Sequence, residues 1–438
     1  MNDDIHSSML HQWMKKQIRI HPFYKDKLKT LINCMTYADN RLGVQIIANG
    51  QYARIIGPRP CNHSWACPEC TARQMRKYST RIGAALDALK KENYAATMFT
   101  LTIFHTRTQS CEESFTLLRK AWNLMDKQKT WRRKKKDGTY YVNAGVWSQF
   151  HNEFQFTHHV KTLETTYGNH GWHPHIHMLI WFKKDDLQKL AEWEEKLNEE
   201  WARCVDKAAK LLWGDQSDKY RIRKFLESKD TREDSEHLGL HISKTKTGKI
   251  KEWSSGDYIC GWGGNNELTG LGMKIARKDN MTPFQILEKA HDLQYSDPDK
   301  SQKLINLYFD FAYTTLKHRI SRIAFSRTGL KKIIDDYMRT ESYKECIKKK
   351  KDSLAIKRYR NIAWFTKKQW SDICNHENIY LIPLILNFAN VPDDPIFGVG
   401  AFDLISELLE VNGLDPPFWI KHPSIDFATA FNDTALAA

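Results

Sequence analysis

The residues best suited to chemistry lie in one stretch, Trp172-His-Pro-His-Ile-His-Met-Leu-Ile-Trp181, where one residue separates His175 from His177. On a β-strand, residues i and i+2 point to the same face. The two imidazoles would stand side by side, with Ile176 and Met178 turned into a core. Such a pair suits one divalent cation but does not complete its coordination shell. Phe154–Thr165 reads as a second strand, and YGNHG (167–171) supplies turn residues between the two. A hairpin of these strands would bring Glu164 across from the histidines as a third ligand. A carboxylate beside two imidazoles favours a hard or borderline ion, Mg²⁺ or Mn²⁺, over a structural zinc.

A second set of donors is sulfur. Cys61-x5-Cys67-x2-Cys70 contains a C-P-E-C knuckle, and Cys34 lies upstream. Four thiolates can enclose a tetrahedral structural Zn²⁺, and His63 is an alternative for one of them. The chain begins MNDDIHSSMLHQWMKKQ, acidic first and without an apolar stretch, and has nine cysteines. The expectation is a cytoplasmic protein with reduced thiols, so a metal rather than disulfides. Arg73, Arg76, Lys77 and Arg81 follow the knuckle at helical spacing, as a DNA-facing or solvated helix would carry them.

Charge narrows the partner. The 438 residues leave room for roughly two to four domains. The net charge is +15, although residues 375–438 hold nine acidic residues and one basic one, Lys421. A basic body beside an acidic tail suggests a polyanionic partner; nucleic acid, an anionic membrane surface and a ribosomal location all fit charge alone. The longest apolar runs, such as Met178–Phe182 and Tyr380–Leu386, fall far short of the roughly 18 residues of a membrane span, so no membrane role is expected. At 41% hydrophobic, the chain has enough apolar residues to exclude global disorder. Two basic runs are candidate phosphate contacts, with binding that weakens as salt rises. One is Arg132, Arg133 and Lys134 through Lys136, expected in a loop before a DGTYY turn; the other is Lys348 and Lys349 through Lys351. Exposed aromatic residues could stack on unpaired bases.

A metal beside a polyanion invites phosphoryl transfer. The nucleophile could come from any of seventeen tyrosines, of which Tyr258 stands out in SSGDYICGWGG, after the metal strands. A phenol with a pKa of about 10 needs activation. Its attack would leave a phosphotyrosine link that keeps the phosphodiester energy for later rejoining.

These residues need a scaffold. Val44–Ala48, Tyr52–Ile56, Thr97–Phe104 and Leu238–Ser243 read as strands. Ser110 with Glu113 forms a capping box, followed by Phe115, Leu118, Trp122 and Met125 at helical spacing. An amphipathic helix is predicted over Asp185–Trp213, and helices dominate from Pro283 to Tyr359. The class is α+β, with an antiparallel sheet carrying the metal residues between flanking helices. The expected segments are a basic helical N-terminus (1–30), a zinc-binding module (31–85), the sheet domain (86–290), a basic helical region (291–374) and an acidic C-terminal tail (375–438).

Four blocks, in order, resemble the replication initiators of rolling-circle plasmids in the HUH endonuclease superfamily. They are Cys34 with CNHSWACPECTARQMRK (61–77), FTLTIFH (99–105), LETTYGNHGWHPHIHMLIWF (163–182) and DYICGWGGNNELTGLGMKIARKDNMTPFQIL (257–287). RISRIAFSRTGLKK (319–332) is similar to the segment that follows in that family. The resemblance implies an HUH nuclease core with an N-terminal zinc module and a C-terminal helical region. It implies His175, His177 and Glu164 as metal ligands and Cys34, Cys61, Cys67 and Cys70 on zinc. Tyr258 would be the nucleophile that nicks one strand at the origin, stays on the 5′ phosphate and later rejoins the ends. Implied partners are origin DNA, double- and single-stranded, a host helicase and a DNA polymerase. The family's lysine three residues after the tyrosine is Gly261 here; Lys274, Arg277 or Lys278 could substitute. For termination, Asp257 and Glu252 are candidates. The rival readings are a single-tyrosine transposase or relaxase and, in another class, a non-catalytic zinc-stabilised origin-binding or repressor protein.

Overall fold

The computed structural model describes residues 3–38, 43–49, 53–127, 131–134, 140–143, 145–215, 239–255, 268–269, 280–326, 329–353, 360–375, 377–391 and 400–417. The chain opens with α1 (Asp3–Ile20) and α2 (Lys29–Ile32), then β1 (Val44–Ala48) and β2 (Ala53–Ile56). Next come α3 (Pro68–Lys91), β3 (Tyr94–Thr102), α4 (Cys111–Asp126), β4 (Trp131–Lys134), β5 (Tyr140–Asn143) and α5 (Val146–Phe154). They are followed by β6 (His159–Gly168), β7 (Gly171–Lys183), a 3-10 segment (Lys184–Trp193), α6 (Glu194–Trp213) and β8 (Leu240–Ile242). The rest is α7 (Pro283–Asp292), α8 (Pro298–Lys317), β9 (Ile323–Phe325), α9 (Leu330–Arg339), α10 (Glu341–Ser353), β10 (Arg360–Phe365), α11 (Lys367–Ile373), α12 (Leu381–Ala389) and α13 (Ala401–Val411). The result is α+β with antiparallel sheets. None of the described helices is long and apolar enough to cross a membrane.

Two units form, one from Met1–Cys61 with Lys351–Ala438 and one from Asn62–Lys350. In the first, β1 is the middle strand of an antiparallel sheet ordered β10-β1-β2. Val44, Ile46, Ile362 and Phe365 from this sheet pack with Trp370, Leu381, Ile385 and Ile405 from α11, α12 and α13. The N-terminal helix is not simply a basic surface element. Lys15 is fully buried, and its ammonium donates to Cys34 O and to Thr36 Oγ1, both at 2.9 Å. A buried ammonium needs such acceptors, because desolvation otherwise makes its charge costly.

The second unit is built on a five-stranded antiparallel sheet ordered β8-β3-β7-β6-β9. One face is apolar along half its length: Ala96, Met98, Val160, Leu179 and Trp181 pack with Met75, Ile82, Leu86 and Leu89 of α3 and Leu330 and Ile334 of α9. The other face is covered by α4, α5 and α6, with Phe99 against Phe150 and the Trp201 indole donating to Thr102 O at 2.7 Å. The capping box closes on α4, with Glu113 N–H donating to Ser110 Oγ and the Glu113 carboxylate accepting from Ser110 N–H.

Two local predictions are corrected. The helix expected from Asp185 starts as ten residues of 3-10 helix, in which Leu187, Leu190 and Trp193 are buried at a spacing of three. Three residues per turn keep that spacing on one side; Leu197, Trp201 and Val205, four apart, then suit α6. Arg132, Arg133 and Lys134 lie on β4, paired with β5, rather than in a loop. The aromatic and β-branched Tyr140-Tyr141-Val142 opposite explains the pairing.

His159, at the start of β6, has its imidazole pushed down to about 4 by burial, with Asp126 opposing and Lys161, His151 and His158 adding to the shift. Between the unfolded value of 6.5 and about 4, the unfolded chain binds more protons than the folded one, so stability is lost as pH falls through that window. Melting temperature measured against pH should therefore drop on acidification across this range, and His159→Gln should flatten the drop. A variant with the wild-type slope would exclude His159 as its source.

Candidate metal centre

Strand register assembles the site. Across three strands, Thr100, His177 and Thr162 form one row, and Thr102, His175 and Glu164 the next. Residues opposite one another in antiparallel strands share a face, so all six lie on one face, beyond the end of the apolar cluster. Leu101, Ile176 and Leu163 alternate to the other face, where they are buried. The β6–β7 hairpin turns through Asn169 and His170, tighter than the expected YGNHG turn, with Gly168 opposite Gly171. Gly171 has φ +89, and a Cβ there would sit 2.9 Å from Thr106 O, so the turn requires glycine.

Glu164 Oε2 lies 3.4 Å from His175 Nε2 and 3.6 Å from His177 Nε2. The three ligand atoms lie within 4.8 Å of one another, a group that could hold a metal ion. Glu164 is 8% exposed and His177 9%, so a carboxylate and two imidazoles share a nearly dry pocket. A buried carboxylate is costly without compensating positive charge; the Arg322 guanidinium acts on Glu164 from within the fold, and a divalent ion would add to it.

The far side of each ring is held. His175 Nδ1–H donates to His173 O at 3.3 Å, and His177 Nδ1 pairs with Thr100 Oγ1 at 3.0 Å. With Nδ1 protonated, each Nε2 lone pair is left for a ligand bond, the arrangement expected of outer-shell partners. His173 and His105 are 2.5 Å apart through Nδ1 and Nε2, and His105 Nδ1–H donates to His170 O at 3.0 Å. This pins the hairpin tip to the segment after β3. Thr100 and His105 are residues that sequence reasoning left without a role. Their signal was the FTLTIFH block, whose alternation puts Thr100 and Thr102 on the metal face.

The four sulfur atoms of Cys34, Cys61, Cys67 and Cys70 also lie within 4.8 Å of one another, a set that could hold zinc. Cys34, Cys67 and Cys70 are buried, and Cys61 is partly exposed. Cys61 N–H donates to Cys34 Sγ at 3.3 Å, and Cys67 stands at the start of α3, where Pro68 takes the first helical position. His63 is not part of the group. Purified protein should contain a single zinc, and Cys67→Ser should lose it. The melting temperature should fall with it by on the order of 5–10 °C, a loss of a few kcal/mol in a domain of this size. Elemental analysis without zinc, or a variant that keeps it, would refute the site.

The remaining candidates are spread out. Tyr258, Gly261, Lys274, Arg277, Lys278 and Asp257 lie outside the described residues. Glu252 is exposed, and Lys348 is exposed on α10, which also carries Lys349. On α3, Arg81 is held by Asp335 at 3.0 Å and Arg73 donates to Asn62 Oδ1 at 3.0 Å, so this row is partly committed within the fold.

Among known proteins, the chain is similar to Protein rep of Streptomyces lividans, 23% identical over 272 residues, covering 55% of this chain and 55% of the relative. The chain thus spans about half the length of that relative. No family model and no solved structure matches the chain.

Proposed function

We propose that this protein is a plasmid rolling-circle replication initiator of the HUH type, which nicks one DNA strand at its origin through Tyr258 and rejoins ends at termination. The observation that carries the reading is the convergence of Glu164, His175 and His177 on one sheet face. The similarity to Protein rep and the basic body support it.

Glu164, His175 and His177 would hold Mg²⁺ or Mn²⁺, which when bound polarises a phosphate oxygen and withdraws charge from the scissile phosphodiester. Thr100 and the His173 carbonyl keep both imidazoles turned for that task. Tyr258 attacks phosphorus through its phenolate oxygen, its proton having left to solvent. The bond to the 3′ oxygen breaks, and that oxygen takes up a proton as a free 3′-OH. One phosphodiester is exchanged for a phosphotyrosine ester, so the later rejoining needs no ATP.

Chain reach is compatible with this role. Trp253 N–H donates to Ala96 O at 2.8 Å, and Ala96 faces Trp181, on the strand of His177. At about 3.3 Å per residue and about 4.8 Å between strands, that anchor lies on the order of 16 Å from the histidines. The five residues to Tyr258 can extend about 17 Å before the side chain is counted. Further on, Leu268 is buried in the α3-facing cluster and Met281 is bridged to Tyr167 of β6.

Arg132, Arg133, Lys134, Lys274, Arg277, Lys348 and Lys349 are the proposed phosphate contacts, and host helicase and polymerase the proposed partners. The test incubates protein with a supercoiled plasmid carrying its origin, with Mg²⁺ or Mn²⁺. Open circles with protein on the 5′ end are expected. Tight origin binding without nicking would favour the non-catalytic reading.

A further inference from the structure

In the second unit, a cleft of about 310 Å³ lies between the Asn62–Trp65 segment, α3 and the stretch Arg319–Ile323. Its lining contains two guanidinium groups, Arg319 and Arg322, together with His63, and no carboxylate among the described residues. Trp65, only 6% exposed, and the half-buried Tyr78 add aromatic surface.

Two donors on this wall lack acceptors. Trp65 Nε1–H and Arg322 Nε–H are buried and make no hydrogen bond to the described residues. A buried donor left unpaired costs about 1–3 kcal/mol, so native folds rarely leave two together without a reason. Arg322 is also held in place: one terminal nitrogen donates to Ser64 O at 3.3 Å, and the guanidinium lies 5.5 Å over the Trp65 ring. That leaves its Nε edge for an oxyanion, which a planar guanidinium binds better than a lysine does. Arg319 is exposed, at a left-handed φ of 46°.

The cleft adjoins the metal centre through the sheet. Leu163 N–H donates to Arg322 O at 2.8 Å, one residue before Glu164, and Ile323 pairs with Thr162. We infer that the cleft is a subsite for one unpaired nucleotide of a DNA strand entering the metal centre, with its phosphate taken by Arg319, Arg322 and Trp65 Nε1–H and its base set beside Tyr78. The volume is at the small end for ligand sites. The assignment rests on the proposed role in DNA strand processing. It gives a task to the RISRIAFSR segment, which the nicking chemistry leaves idle.

The test measures binding of a dye-labelled thymidine oligonucleotide to the full chain by fluorescence anisotropy, with Mn²⁺ affinity, zinc content and melting temperature alongside. Trp65→Phe keeps an aromatic, though smaller, ring and removes the N–H; it should weaken oligonucleotide binding about threefold. Arg322→Gln and Arg322→Lys should each weaken it about tenfold or more, since lysine restores charge but not the Nε–H. Mn²⁺ affinity should be unchanged in Trp65→Phe and Arg322→Lys, which keep the positive charge that acts on Glu164, and should not fall in Arg322→Gln. Thymidine monophosphate should compete at least about tenfold less well than the oligonucleotide, because it reaches no neighbouring contact. If the wild type binds the oligonucleotide and the folded variants bind it equally, the subsite is refuted while the proposed function stands. Should an Arg322 variant not fold, Trp65→Phe decides alone. If the wild type binds no single-stranded DNA, both fail. If thymidine monophosphate or inorganic phosphate binds as tightly as the strand, the cleft is a free-phosphate site and the strand assignment is overturned.

Discussion

Tyr258→Phe is expected to abolish nicking, by at least about 10³-fold, and to remove every protein-linked 5′ end, while leaving origin binding and its salt dependence within about twofold of wild type. The substitution deletes one oxygen. If that oxygen forms the covalent link, no intermediate replaces it. The contacts that give affinity are spread over many basic side chains, and the slope of affinity against salt counts them. A retained slope with lost cleavage therefore separates chemistry from binding. Denaturing gels of labelled origin strands read the covalent link directly. Wild-type nicking by Tyr258→Phe would transfer the role to another of the seventeen tyrosines. Nicks whose 5′ ends never carry protein, in the wild type, would instead mean hydrolysis by water, and the initiator reading would fail with them.

The parts of the fold readable from the sequence are those with short periods. His175-x-His177 on a strand, an apolar Ile176 and Met178 between and beyond, and a turn upstream define one hairpin, and a period of two sets the face of every residue in it. The capping box of Ser110 and Glu113 was equally local. What was illegible depends on distance along the chain. β1 pairs with β10 more than 300 residues later, as Val44 opposite Phe365, and no local pattern at either end reports the partner. β9, only Ile323–Phe325, is too short to carry an alternation, yet it places Arg322 beside Leu163. Thr100 was visible as a strand residue, but its hydrogen bond to His177 follows from the β3–β7 register, which a hairpin argument does not supply.

Glu164→Gln should separate the candidate cation from the scaffold that holds it. The amide keeps the shape and removes the one formal negative charge among the three donors. Mn²⁺ affinity should fall about 100-fold or more, beyond the roughly 10–100-fold typical of outer-shell changes, and Thr100→Val should fall within that outer-shell range. The loss should depend on the ion. Mg²⁺ relies on carboxylate oxygen, whereas ions that accept imidazole keep two ligands. Nicking supported by Mg²⁺ should therefore vanish, and nicking supported by Mn²⁺ or Co²⁺ should survive in part at high concentration. Thermal melting gives an independent readout. A ligand that binds only the folded chain stabilises it by about 2.7 kcal/mol at 100 times its dissociation constant, so Mn²⁺ at that level should raise the wild-type melting temperature and that of Glu164→Gln far less, by the equivalent of about 0.4 kcal/mol or below. An equal Mn²⁺-induced rise in both proteins would remove Glu164 from the coordination shell and leave the histidine pair without its third ligand.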